Sequence, residues 1–68
     1  MNQETFNLSI RKFLKMVGVN SQREIELAVD RALQAGKAQG NETFPAEVKL
    51  EIPGLAVSVV FRGEIRLE

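Results

Sequence analysis

A chain of 68 residues makes one small domain that buries only about 60% of its unfolded surface, too little for a deep enclosed pocket. Nine basic and nine acidic residues cancel and are interspersed, so no field of one sign draws in nucleic acid or anionic lipid. With no Cys and no His, disulfides are excluded and zinc lacks its usual ligands, which leaves oligomerisation as the customary reinforcement for so small a core.

The start, Met1-Asn2-Gln3-Glu4-Thr5, lacks the basic residues and apolar run of a signal peptide, and no stretch has enough consecutive apolar residues to cross a bilayer. The absence of Cys is compatible with a reducing compartment. A cytoplasmic protein is the expectation.

In chain order, Phe6, Ile10, Phe13, Leu14 and Val17 form one helical stripe, with Asn7, Arg11, Lys12 and Lys15 opposite. The spacing predicts a helix over about residues 3–17, capped by Asn2 and ended by Gly18. Ser21-Gln22-Arg23-Glu24 has the form of a capping box. It predicts a second helix over about 22–35, with a stripe of Ile25, Ala28, Val29, Ala32 and Leu33 and a stop at Gly36 or Gly40.

Residues 40–43 read as a loop, and Pro45 biases Phe44 towards an extended conformation. From Ala46 onwards apolar residues recur at every second position: Val48, Leu50, Ile52, then Leu55, Val57, Val59, then Ile65 and Leu67. The pattern predicts strands over about 46–52, 55–61 and 64–67. A two-residue turn at Pro53-Gly54, of type II with Gly54 at positive φ, would pair Ile52 with Leu55, Leu50 with Val57 and Val48 with Val59. A three-residue loop Phe61-Arg62-Gly63, with Gly63 as a left-handed bulge, would pair Val59 with Ile65. The predicted fold class is α+β, a two-layer ααβββ domain with two antiparallel helices packed on one face of a three-stranded antiparallel meander.

Catalytic chemistry has thin material. Ser9, Ser21 and Ser58 have no recognisable activating partner, and Ser21 is explained by its capping box. Glu26 and Asp30 stand one helical turn apart and could hold Mg²⁺ or Ca²⁺, but Arg23 and Arg31 flank them, and a solvated helix face accounts for all four better. Gly36, Gly40, Gly54 and Gly63 do not form a phosphate-cradling loop. No catalytic residue, cofactor or metal is assigned.

Residues 13–33 have the outline of a helix-turn-helix DNA reader, with Met16-Val17-Gly18-Val19 at the turn. Glu24 stands where that motif places its next core residue, Leu14 where it usually has alanine, and Glu24, Glu26 and Asp30 would face phosphates unfavourably. Nor does the outer sheet face carry the aromatics on which RNA bases stack, since Phe6, Phe13 and Phe44 lie elsewhere and Phe61 sits at the predicted turn. The basic cluster Arg11, Lys12 and Lys15 could engage an acidic partner, although such charges equally suit the negative end of a helix that stops at Gly18.

Phe6-Asn7-Leu8-Ser9-Ile10-Arg11-Lys12-Phe13-Leu14-Lys15, then Val17-Gly18-Val19, Ser21-Gln22-Arg23-Glu24-Ile25-Glu26 and the closing Gly63-Glu64-Ile65 together resemble a family of short single-domain bacterial proteins of uncharacterised function. The resemblance spans nearly the whole chain, and it implies a free-standing domain without carrying over any catalytic or ligand residue. The reading that follows is a small non-enzymatic interaction protein, self-associating or binding a protein partner. Leu8, Met16, Leu27, Val60 and Phe61 are its candidate surface, being left over once the stripes and the sheet face are assigned. Nucleic-acid binding through residues 13–33 is the alternative, and a divalent-metal enzyme a third.

Overall fold

Asn2 caps the first helix as its sequence suggests: its side-chain oxygen accepts from the Thr5 amide at 3.0 Å, satisfying one of the donors a helix start leaves unpaired. The computed structural model describes residues 1–68. They form a helix α1 (Gln3–Gln34), a strand β1 (Thr43–Ile52), a 3-10 turn (Pro53–Leu55) and a strand β2 (Val57–Arg66).

The predicted pair of helices, about 3–17 and 22–35, is therefore corrected to one helix of 32 residues, about 48 Å long at the usual rise. Gly18 does not stop it, because Gly18 keeps a negative φ and an interior glycine costs only about 1 kcal/mol relative to alanine. Nor does Ser21 cap anything: it lies inside the helix. The reason the helix reads through is phase. Phe6, Val17 and Ala28 are eleven residues apart, as are Ile10, Ser21 and Ala32, and Leu14 and Ile25, so the apolar stripe crosses Gly18 to Ser21 without a reset. A genuine stop and restart would have broken that register.

Gly36 supplies the end. At φ 72 it occupies the left-handed position of a Schellman motif, with its amide donating to the Leu33 carbonyl at 3.2 Å and the Lys37 amide to the Ala32 carbonyl at 2.8 Å. One consequence concerns the basic cluster. Arg11, Lys12 and Lys15 fall in mid-helix, far from the negative end, where Arg31 stands instead, so the helix dipole does not account for them.

The predicted three-stranded meander is likewise corrected to two antiparallel strands. The connection between them is four residues, not two. It pairs Ile52 with Val57, Leu50 with Val59 and Val48 with Phe61, and Ala56 at φ 54, not Gly54, takes the left-handed position. Leu55 lies in this turn and leaves the strand pattern. Gly63 is no bulge: it pairs with Ala46 in mid-strand, so the predicted turn at Phe61 to Gly63 is extended backbone and the two predicted C-terminal strands are one.

Because the register moves by two residues, the period-two alternation survives the correction. Phe44, Ala46, Val48, Leu50 and Ile52 lie opposite Ile65, Gly63, Phe61, Val59 and Val57, giving one face with no polar side chain. The other face carries Glu47, Lys49, Glu51, Ser58, Arg62, Glu64 and Arg66 with Val60 among them. Arg62 Nε stands 3.5 Å from Glu47 across the strands and Lys49 Nζ 3.0 Å from Glu51, exposed pairs of the kind that contribute little.

The chain divides into two compact units, Met1–Lys37 and Ala38–Glu68. Neither has a core. Ala38, 5% exposed, is the one buried hydrophobic residue, and no larger side chain is fully buried.

Candidate functional site

What the fold offers is apolar surface. Along α1 the stripe of Phe6, Ile10, Phe13, Leu14 and Ile25 is exposed, with Val17, Ser21, Val29 and Ala32 half-buried. Helical spacing places these residues in one continuous band, since the eleven-residue repeat keeps 3.67 residues per turn, near the helix's own period. A second, narrower ridge runs on the far side. Leu8 and Val19 are eleven residues apart, as are Met16 and Leu27, and all four are exposed.

The hairpin adds the apolar face described above, on which Phe44, Val48, Ile52, Val59 and Phe61 are exposed. An isolated two-stranded sheet is at best marginally stable in water, so this face requires a cover. Where the two smallest residues, Ala46 and Gly63, oppose each other, the hairpin bears an open depression lined by them and by Pro45, Glu47 and Arg62. It holds one exposed ion pair and no convergent set of reactive groups.

The candidate surface residues of the sequence reading are distributed over these features. Leu8, Met16 and Leu27 lie together on the second helical ridge. Phe61 (58% exposed) belongs to the apolar hairpin face, opposite Val48, whereas its neighbour Val60 (38%) points to the polar face, opposite Lys49. The sequence reading missed Val19, which completes the ridge, and the exposure of the main stripe itself. The eleven-residue spacing was the available signal for the first; nothing in the sequence marks the second.

Polar groups organise the loop between the units of secondary structure. The Glu42 carboxylate accepts from the amides of Gln39 at 2.7 Å, Gly40 at 3.0 Å and Asn41 at 3.2 Å, and Gly40 at φ 100 provides the backbone turn that aims them. The Gln39 amide foremost, then those of Gly40, Glu42 itself and Asn41, hold this carboxyl below the ordinary glutamate range, against an opposing effect of desolvation. A depressed folded-state value means that the carboxylate stabilises the fold above the unfolded-state pKa, and that this contribution disappears as the pH falls through the lowered value. Denaturant titrations of the protein and of Glu42→Gln are expected to differ at neutral pH and to converge under acid. A difference that persists unchanged below pH of about 3, well under the ordinary glutamate value, would refute this account of the loop.

The other polar features are local. Glu26 accepts from the Gln22 amide group at 2.9 Å, and no group of three or more His, Cys, Asp or Glu residues is placed to hold a metal ion. The helix-turn-helix outline of residues 13–33 has no turn, since the segment lies wholly within α1. No helix is long and apolar enough to cross a membrane.

Comparison with curated proteins and with solved structures finds no match for the chain. A family model does match, over residues 1–68, and because that span is the entire sequence, the chain belongs to the family of unknown function DUF6494.

Proposed function

We propose that this protein is a non-enzymatic interaction module whose first partner is a second copy of itself. The observation that carries the proposal is the missing core: a folded chain with two apolar faces in which only an alanine is buried. A 32-residue helix and a hairpin each draw most of their stability from packing an apolar side against something else.

Each unit by itself needs such packing: α1 leaves Phe6, Ile10, Phe13, Leu14 and Ile25 exposed, and the hairpin leaves Phe44, Val48, Val59 and Phe61 exposed, more apolar surface than a metal or small ligand could cover.

Sedimentation equilibrium over a dilution series is expected to show a dimer or a closed oligomer at micromolar concentration. Its thermal midpoint should rise with protein concentration, because association and folding are then one equilibrium. A monomer with cooperative, concentration-independent unfolding would sink the proposal.

A further inference from the structure

We infer that the second copy lies against the main stripe of α1 with its helix running antiparallel, related by a two-fold axis through the stripe at the level of residue 19; this rests on the self-association proposed above. The argument begins with side-chain size along the stripe. Its first half is bulky, with Phe6, Ile10, Phe13, Leu14 and Val17, and its second half is smaller, with Ser21, Ala28 and Ala32 around Ile25 and Val29. The stripe runs from Phe6 to Ala32, so its midpoint is residue 19.

An antiparallel copy centred there sets Phe6 against Ala32, Ile10 against Ala28, Phe13 against Ile25 and Val17 against Ser21. Three of these four layers join a large side chain to a small one, with Leu14 falling level with Glu24, and two helices can keep a similar separation along their length, as close packing requires. A parallel copy would set Phe6 on Phe6 and Ala32 on Ala32, forcing the axes apart at one end and leaving voids at the other.

Charge favours the same orientation. The first half of α1 carries Glu4 against Arg11, Lys12 and Lys15, a net +2, and the second carries Arg23 and Arg31 against Glu24, Glu26 and Asp30, a net −1. Antiparallel packing brings the unlike halves together. Parallel packing repeats like on like.

The absence of native cysteine makes the test clean. Nitroxide labels on Glu4→Cys, measured by pulsed dipolar spectroscopy, are expected about 45 Å apart within the dimer at 1.5 Å per residue. In a mixture of chains labelled at Glu4→Cys and at Gln34→Cys, a short distance of about 10–20 Å should appear, since neighbouring helix axes lie 8–10 Å apart. Short distances in the Glu4→Cys sample alone, or any pair of distances that displaces Phe6 from Ala32, would overturn the orientation while leaving self-association standing. No dipolar coupling in any sample, with monomers in sedimentation, would overturn self-association itself.

Discussion

Ile10→Asp is expected to abolish assembly and with it most of the helix signal in far-ultraviolet circular dichroism. Ile10 sits in the bulky first half of the main stripe between Phe6 and Phe13, and is exposed in the single chain. If nothing covered it, aspartate there would cost roughly 0.5 kcal/mol, the loss of helix propensity alone. Under a second copy it would instead place a carboxylate against Ala28 in an apolar layer, at a cost of about 3 kcal/mol or more. Two-fold symmetry makes that loss twice, and at 1.4 kcal/mol per factor of ten the association constant should fall by at least about ten-thousandfold. Gln22→Ser is the control, on the polar flank of the same helix, where only an exposed hydrogen bond to Glu26 is lost and the change should stay within about 0.5 kcal/mol. Equal behaviour of the two variants would mean that the stripe faces water in the native protein.

The parts of the fold that could be read from the residues, and those that could not, divide along a physical line. The apolar hairpin face was legible because a strand alternates with a period of two, and an error of two residues in the turn, as at Pro53-Gly54, leaves every side chain on its own side. The strand count was not legible, since Gly63 suits both a left-handed bulge and an interior position opposite Ala46, and only the partner strand decides between them. At Gly18 and Ser21 the residues obeyed sound local rules for stopping and capping helices. Those rules concern about 1 kcal/mol each, less than the continuing stripe offers once it is covered. The same cause hid the extent of the exposed apolar surface. A reader who seeks one core within the chain spends Phe6, Ile10, Phe13 and Leu14 on it, and treats only Leu8, Met16, Leu27, Val60 and Phe61 as surplus, whereas all nine are exposed.

Adjacent residues on β2 provide the second large effect, and it addresses the hairpin independently of the helix. Phe61→Ala is expected to destabilise the protein by about 3–5 kcal/mol, the range for removing a covered aromatic ring, although the ring is 58% exposed in a single chain. Val60→Ala, one position away, should cost no more than about 1 kcal/mol, because its side chain stands on the charged face opposite Lys49 and shares it with Arg62 and Glu47. Taken on the isolated chain the order would differ, since Val60 is there the less exposed of the two, and each loss would amount to a cross-strand pair contribution of about 0.2–1 kcal/mol. Denaturant unfolding of both variants at one fixed protein concentration separates the cases, with the concentration held constant so that any assembly weighs equally on both. A large loss at Phe61 beside a small one at Val60 requires a cover over the face made by Phe44, Val48, Leu50, Val59 and Ile65. Small losses at both would leave that face open to water and confine the second copy to the helix.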